Sequence, residues 1–510
     1  MESPTAAPAE QTEIDPQQRV LMRNLTLANA SSYLEYFFGL LVTMLVARSL
    51  GAEEYGTYVF LIWLITIAVA FTNEGLSLSI TKHVAERSKS ADIPNSSKII
   101  TFFERNHLSR IALAVVPLMI AAYWSSHADY GHTFASLSAL SLSLCFFMRA
   151  RYMLRISAFK GLENFWGVAV ASFIATPISL ISAILLFVLE APLWSYLAQY
   201  LLVSFSFYAC TAFFLFRRIN YKPQRNYLDH NHTYFERVST YNRYITPSAI
   251  LTYLMASQTE IFFLHMFQGP ELVAFFSIGF VLATAIATLV PGVINAILLP
   301  MISKSMSRGI DAVRNIVEDT LRYQLYLNFL VVGPTLLYAQ DLVVFLYTEE
   351  YAPAGRSFLW MVLIYCGANF VSAFNAYLLA ADEHKLILKV SIYGAVFGLI
   401  CDLILIFLYG LDGAIAALGL TMAWYVITRI VPANRKLKAR LKGLHLIIVA
   451  LACVVCTAAA HQLTAGMVGI MAAVVGSTFY VVTFTACYYF SPVLTNSGRL
   501  YIKSRLSGAT

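Results

Sequence analysis

Long apolar stretches alternate with short polar segments along almost the whole chain. A membrane-spanning helix needs about 20 mostly apolar residues, and fourteen stretches meet that requirement. The pattern therefore predicts an all-α polytopic membrane protein. Proline or glycine inside several stretches is compatible with this, because neighbouring helices satisfy the backbone groups that such residues free. The predicted spans are 25–47, 57–80, 108–124, 133–149, 166–189, 193–216, 244–267, 271–299, 320–340, 357–380, 386–408, 412–430, 443–461 and 466–490.

The basic residues fall almost entirely on alternate connecting segments. With the N-terminus placed on the cytoplasmic side, the cytoplasmic segments hold 33 of the 35 Lys and Arg, and the outer segments hold only Arg48 and Arg356. Lys and Arg in short loops collect on the cytoplasmic side of a membrane. An error in the number of spans would scramble this alternation. The distribution predicts that both termini are cytoplasmic.

Composition agrees with a membrane protein and excludes other classes. Of 510 residues, 59% are hydrophobic and 12% are charged, whereas soluble domains average about 45–50% and about 25%. The net charge of +7 does not indicate a nucleic-acid binder, because apolar stretches separate the basic clusters. The seven cysteines lie within predicted spans, and no further Cys or His completes a metal set around Cys453 and Cys456. We expect neither a metal site nor a cofactor.

The chain divides into two similar halves with an offset near 220 residues. We predict a disordered cytoplasmic tail at 1–18, six-helix repeats at 19–218 and 239–431, two extra helices within 443–490, and a cytoplasmic tail at 491–510. No secretory signal precedes the first span, so we expect that span to stay as an anchor. Chance similarity of hydropathy is the alternative to duplication. The matches are Ser32-Tyr33-Leu34 with Thr252-Tyr253-Leu254, Gly51-Ala52-Glu53 with Gly269-Pro270-Glu271, Val116-Pro117 with Gly333-Pro334, and Leu189-Glu190-Ala191 with Gly410-Leu411-Asp412.

An even number of spans in each repeat gives both repeats the same orientation in the membrane. The repeats are then related by an axis along the membrane normal, as in parallel-repeat transporters. Such proteins hold the substrate between the repeats and rock one repeat against the other. The duplication therefore predicts a central cavity between two six-helix bundles.

Three stretches resemble a known family. They are residues 47–58 (ARSLGAEEYGTY), 345–355 (FLYTEEYAPAG) and 410–417 (GLDGAIAA). They are similar to the polysaccharide-transport family of the multidrug/oligosaccharidyl-lipid/polysaccharide flippase superfamily, and the resemblance runs over most of 20–490. The chain departs from the family at Tyr347-Thr348, where members commonly carry a Phe-Gly pair.

The resemblance implies a flippase rather than an enzyme. Such proteins move polyprenyl-pyrophosphate-linked oligosaccharide repeat units across the bacterial inner membrane for O-antigen, capsule or exopolysaccharide assembly. It also implies alternating access, and a polysaccharide polymerase and chain-length machinery as partners. A proton or sodium ion is the expected coupling ion.

Ionisable residues inside the predicted spans are the candidate functional groups, because each is costly in lipid and by default faces a cavity. Glu35 and Glu260 open the two repeats, and we expect them to face each other across the cavity as proton or cation sites. A hydrogen-bonded carboxyl that fixes helix packing is the alternative for both. For Glu74 we favour an interfacial role, and for Asp402 a structural hydrogen bond.

No Lys or Arg lies deep in a predicted span, unlike in the related lipid II flippases, which place arginines within the cavity. Pyrophosphate capture is then expected at Arg23 and Arg243, which begin helices one and seven and whose guanidinium groups bind phosphate oxygens bidentately. Ordinary anchoring at the membrane surface is the alternative. Arg48 is expected to gate the outer mouth by pairing with Glu53 and Glu54, or to cap helix one.

Three rival functions remain open from the sequence. A scaffold for the assembly machinery would leave the acids inside the predicted spans unexplained. An ion-coupled multidrug exporter of the same superfamily would share the fold but carry a drug-like cation. A membrane polymerase or lipid-linked glycosyltransferase would need a large outer loop or a soluble domain, whereas the longest outer segment is about 341–356. The flippase therefore explains the sequence best.

Overall fold

The computed structural model describes residues 16–86, 95–218, 232–256, 258–289, 292–439, 443–467 and 469–493. This part of the chain contains helices and no strand, which confirms the all-α prediction. The helices are α1 (Pro16–Asn73), α2 (Leu76–Glu86), α3 (Ser96–Gly161), α4 (Phe165–Val188), α5 (Leu193–Phe213), α6 (His232–Ala256), α7 (Glu260–Gln268), α8 (Pro270–Leu289), α9 (Gly292–Met306), α10 (Ile310–Leu346), α11 (Ala352–Asn369), α12 (Val371–Ala380), α13 (His384–Cys401), α14 (Phe407–Leu437), α15 (Gly443–Leu463) and α16 (Ile470–Phe490).

Glycines with positive φ reverse the chain inside three of these helices. Gly51 (φ 74°), Gly131 (φ 77°) and Gly410 (φ 56°) have non-helical backbone angles, which a residue without a Cβ adopts at low cost. Asn73 contacts α3 on both sides of Gly131: its side-chain amide donates to Ala150 O at 2.8 Å, and its Oδ1 lies 3.0 Å from His107 Nε2. A straight helix would separate positions 107 and 150 by about 65 Å, so the chain folds back at Gly131.

Contacts between residues on both sides of the glycine also show a chain reversal at Gly51 and at Gly410. Residues of α1 on both sides of Gly51 line one cavity. Across Gly410, Trp424 Nε1 donates to Val390 O at 3.4 Å. Both glycines lie in stretches that carry the family resemblance, and each supplies a tight reversal between two antiparallel helical arms.

Eleven segments of the described chain are long and apolar enough to cross a bilayer. Two of them, Tyr33–Asn73 and Lys385–Leu437, contain the reversals at Gly51 and Gly410. The predicted number of fourteen spans is not established by this count, and the boundaries and symmetry of the two repeats stay predictions. Many large apolar side chains, such as Leu113, Trp124 and Val455, are exposed on the outer surface, as expected where a helix faces lipid.

Helices α15 and α16 pack against α10. Tyr480 of α16 is fully buried and donates to Phe329 O at 2.7 Å. Its ring lies against Gly333, where an added Cβ would be only 2.0 Å from the Tyr480 ring. On the other side, Tyr338 of α10 packs against Gly476 and lies 2.9 Å from Thr464 Oγ1. Two tyrosines, each seated on a glycine of the facing helix, thus attach the last two helices to the second half of the molecule.

A buried ionic cluster joins the two arms of α3. Arg151 lies 2.9 Å and Arg155 3.4 Å from the carboxylate of Glu104, and Arg151 also donates to the Glu104 carbonyl at 3.0 Å. All three side chains are largely buried. One carboxylate therefore compensates two guanidinium groups that the fold removes from water.

We call α1–α5 the first half of the molecule and α6–α16 the second half. A chain reversal of each half meets the other in a contact that we call the interhalf latch. It is formed by residues 47–56, 270 and 345–351. Arg48 donates to the carbonyls of Phe345 and Leu346, the Leu346 bond at 2.8 Å. Tyr351 donates to Ala47 O at 2.7 Å, and Glu350 accepts from the Ala52 amide at 2.7 Å. A cation thus caps the C-terminus of α10 and a carboxylate caps the arm after Gly51, as the helix dipoles favour.

Glu104→Gln is expected to destabilise the protein. The substitution keeps the shape of the side chain but leaves two buried guanidinium groups without their anion, and breaking a buried pair in this way costs about 3–5 kcal/mol. Thermal unfolding in detergent should show a fall of several degrees, whereas Glu190→Gln, at an exposed position outside the latch, should unfold like the parent. An unchanged melting temperature would show that the two arginines do not depend on this carboxylate.

Gly56→Ala is expected to hold the latch open. A Cβ at Gly56 would lie 1.8 Å from Pro270 O, so the two backbones must separate by roughly 1.5 Å to reach ordinary contact. Spin labels at the exposed positions 53 and 349, with Cys487 replaced by serine, should report a longer distance. Gly367→Ala, whose Cβ meets no atom within 4 Å, is the control. Identical distance distributions would contradict this steric role.

Candidate functional site

A cavity of about 610 Å³ lies between the two halves of the molecule; we call it the central cavity. Both arms of α1, with α3, α4 and α5, form one wall, and α6, α7, α8 and the segment before α7 form the other. The polar lining residues are Glu35, Thr43, Thr66, Arg149, Thr176, Ser179, Gln199, Gln258 and Ser277, and the aromatic ones include Tyr55, Tyr58, Trp63, Tyr152, Tyr200 and Tyr253. The cavity therefore combines hydrogen-bonding groups with broad aromatic faces.

Arg149 supplies the positive charge of this cavity. Its guanidinium carbon lies 4.7 Å from the ring centroid of Tyr200 and 5.7 Å from that of Tyr152. Ring faces attract a cation without neutralising it. Within the described ranges no carboxylate lies at ion-pair distance from Arg149. Two tyrosine rings thus fix the position of the Arg149 guanidinium, and its charge is available to an anion in the cavity.

Arg149 is a cavity residue that the sequence pattern did not predict. The fourth predicted span ends at this position because the apolar stretch stops at the first arginine. The structure continues the helix to Gly161, so Arg149 lies inside a spanning segment, and the expectation of a cavity without basic residues is wrong. Spacing carried a usable signal: Arg149 and Tyr152 share a helix face three residues apart, whereas Arg151 and Arg155 turn toward Glu104.

Glu35 lines the same cavity as Arg149. Ser172 Oγ of α4 donates a hydrogen bond to Glu35 Oε1, which orients the carboxylate between α1 and α4. The first half of the molecule therefore brings one acid and one base to the central cavity.

Glu260 lies elsewhere, behind the cavity wall. It lines a small pocket of about 10 Å³ together with Asp402, Thr259, Gly398 and Thr421. Glu260 and Asp402 are only 4% and 1% exposed. The expectation that Glu260 faces Glu35 across one cavity is not met; the structure brings Glu260 together with Asp402 instead.

The small pocket lined by Glu260 and Asp402, which we call the acid pocket, has one internal hydrogen bond and two unpartnered oxygens. Thr259 Oγ1 donates to Asp402 Oδ2 at 2.7 Å. In the part of the chain that the structure describes, Glu260 Oε2 and Asp402 Oδ1 have no hydrogen-bond partner. Asp402 begins a π-helical turn over 402–406, a feature frequent at functional sites. A pocket of this size has room for one water-sized occupant.

Residues 258–261, which comprise the two residues before α7 and the first two of α7, serve both sites. Gln258 and Ile261 line the central cavity, while Thr259 and Glu260 line the acid pocket. Helix α7 begins only at Glu260, after the chain leaves α6 at Ala256. The start of α7 and the two residues before it thus form the shared wall between the two sites.

Of the remaining predicted residues, Glu74, Arg243 and Arg48 do not line the central cavity. Glu74 is half-buried in the turn between α1 and α2, and Arg243 is exposed on α6. Arg48 belongs to the interhalf latch, where it binds backbone carbonyls of α10 rather than Glu53 and Glu54. The side chain of Arg23 lies outside the described part of the structure.

Comparison with known proteins identifies the family and the fold. The family model described as "Polysaccharide biosynthesis protein" matches residues 45–356, whereas no curated protein matches the sequence. Among solved structures, the lipid II flippase MurJ in an inward closed conformation is 13% identical, with 91% of this chain and 99% of that chain covered and a TM-score of 0.69.

Two multidrug transporters have the same fold. An inward-facing multidrug resistance MATE family transporter of the MOP superfamily is 13% identical, with 80% and 95% coverage and a TM-score of 0.65. A Vibrio cholerae MATE transporter is 14% identical, with 82% and 97% coverage and a TM-score of 0.56. The predicted family and the predicted fold class are therefore both confirmed: the chain belongs to the polysaccharide biosynthesis protein family and has the fold of MOP-superfamily transporters.

Proposed function

We propose that this protein flips polyprenyl-pyrophosphate-linked oligosaccharide repeat units across a bacterial inner membrane by alternating access. The observation that carries the proposal is Arg149, a guanidinium held in the central cavity by two tyrosine rings and without a carboxylate partner in the described ranges. Guanidinium groups bind phosphate oxygens bidentately. The pyrophosphate of the cargo is the anion that this position suits.

The rest of the lining suits the sugars of such a cargo. Thr176, Ser179 and Gln199 offer hydrogen-bonding groups on one wall. Tyr253 and Trp63 offer flat apolar surfaces with polar edges, which pack against sugar rings while their N–H and O–H groups remain able to bond. A cavity of about 610 Å³ holds the pyrophosphate and the first sugars, and the long isoprenoid chain stays in the surrounding lipid.

The acid pocket is the proposed coupling site. Two buried carboxylates with unpartnered oxygens need a proton or a cation, because buried charge without compensation is costly. Glu260 and Asp402 share the pocket. Binding and release of a proton or sodium ion would therefore switch the pocket between two charge states. Glu35, which lines the cavity itself, is proposed as a second ion-responsive carboxylate.

Cellular placement follows from the same proposal. A flippase of this class would act in the inner membrane with both termini cytoplasmic. It would supply a polysaccharide polymerase and its chain-length machinery for O-antigen, capsule or exopolysaccharide synthesis.

Multidrug export is the second candidate, and one observation favours it. Glu35 brings a carboxylate to the same cavity, and a carboxylate between apolar walls suits a cationic drug. The flippase would use the positive charge of Arg149, and the multidrug exporter would use the negative charge of Glu35. Variants that neutralise one residue at a time therefore distinguish the two functions.

Arg149→Gln is expected to lower flipping of a pyrophosphate-linked oligosaccharide by about 30- to 100-fold. A fall of this size corresponds to the loss of a charge-assisted contact of about 2.1–2.8 kcal/mol. Flipping is measured in proteoliposomes with a fluorescent lipid-linked oligosaccharide, and repeat-unit accumulation is measured in a deletion strain that carries the variant.

Arg149→Lys should retain more activity than Arg149→Gln, because it keeps the charge but not the bidentate geometry. Arg356→Gln removes an exposed arginine that pairs with Asp412 and should flip normally. Full activity of Arg149→Gln, or export of cationic drugs lost on Glu35→Gln but not on Arg149→Gln, would favour the multidrug exporter instead.

Glu260→Gln and Asp402→Asn are each expected to remove the response to an imposed ion gradient by more than about tenfold, since a carboxamide carries no exchangeable charge. Counterflow of cargo without a gradient should persist. Proteoliposomes with an imposed proton or sodium gradient provide the measurement, and Asp341→Asn, outside both sites, is the matched control. Gradient-driven flipping that is unchanged in both variants would eliminate the acid pocket from coupling.

A further inference from the structure

A second large cavity lies outside the two sites described above. It is a groove of about 570 Å³, which we call the α3 groove. One wall is formed by the inner face of α3 from Arg110 to Ala121, the other by Leu64 to Thr72 of α1, and Thr246 of α6 closes one end. Leu113, at 80% exposure, and Phe71 are exposed on its rims, so the groove opens on the outer surface of the molecule.

The groove is apolar along its length and basic at one end. Between Ile111 and Ala122 the sequence of α3 contains no charged or hydrogen-bonding side chain. Arg110 is the last charged residue before this stretch, and its guanidinium nitrogens lie 3.4 and 3.5 Å from Thr246 Oγ1. Among the described residues none forms an ion pair with Arg110. One end of an otherwise hydrocarbon-like groove therefore presents a cation to an anionic group.

The dimensions match one leaflet of a bilayer. Arg110 and Ala121 are separated by eleven residues of helix, which is about 16 Å. Half of a hydrocarbon core of about 30 Å is about 15 Å. A ligand with a phosphate at Arg110 would thus extend an acyl chain along the groove to the middle of the membrane.

We propose that the α3 groove is a binding site for an anionic glycerophospholipid, with its phosphate on Arg110 and one acyl chain between α1 and α3. The bound lipid contacts both halves of the molecule, since Arg110 belongs to the first and Thr246 to the second. This site is separate from the central cavity, so its existence does not depend on the proposed cargo.

The test is native mass spectrometry of the full-length protein with phosphatidylglycerol and phosphatidylcholine of identical acyl chains. The parent should retain phosphatidylglycerol preferentially. Arg110→Gln should lower the bound ratio of the two lipids about tenfold, as expected for one charge-assisted hydrogen bond. Arg105→Gln is the matched control, because Arg105 is an exposed cation on the same helix that does not line the groove.

Leu113→Trp provides a second variant that does not alter charge. The larger side chain at this exposed rim should lower binding of both lipids together by several-fold and leave their ratio unchanged. The proposal is overturned if Arg110→Gln keeps the parent ratio, or if Arg105→Gln lowers the ratio equally. Displacement of phosphatidylglycerol by an equimolar polyprenyl phosphate would also overturn it, by assigning the groove to the cargo lipid.

Discussion

A charged side chain within a bilayer must be paired, shielded or exposed to a cavity, because hydrocarbon offers it no compensation. Three groups of charged residues in this structure meet that demand in different ways. Glu104 compensates two buried arginines within the first half. Arg48 binds the carbonyls that α10 leaves free at its end. Arg149 lies between tyrosine rings at the cavity wall, and there the compensation is incomplete.

The same demand applies to the backbone, and it explains where the two halves touch. In lipid each peptide group needs an internal partner, so a chain reversal exposes carbonyls and amides that must be satisfied. At Gly51 and after α10 the structure joins two reversals, and each supplies partners for the other: Glu350 accepts from Ala52, and Tyr351 donates to Ala47. Two of the three stretches that resemble the family, near 51 and near 350, are thus in direct contact. Their sequence pattern reflects one shared structural requirement.

Hydropathy and basic-residue spacing were enough to predict the fold class, and the three stretches were enough to predict the family. Side-chain partners within the site could not be predicted in this way. Glu260 and Asp402 are 142 positions apart, and periodicity gives the face of a helix but not which distant helix lies opposite. Arg149 was placed at the end of the fourth predicted span because the apolar stretch stops at the first arginine, whereas the helix itself continues for about three more turns. Packing between helices, rather than local propensity, decides such positions.

The separation of the acid pocket from the central cavity gives the proposed coupling a physical route. Neutralising Glu260 or Asp402 would change the forces on residues 258–261, where the chain enters α7, and this segment also supplies Gln258 and Ile261 to the cavity wall. A ligand shifts a conformational equilibrium only through a difference in its affinity for the two states. A cation in the acid pocket would meet that condition if the two states differed at Thr259, because loss of the Thr259 hydrogen bond to Asp402 would change the oxygens around the cation. Cargo on the other side of the same segment would sense that change without contacting the ion.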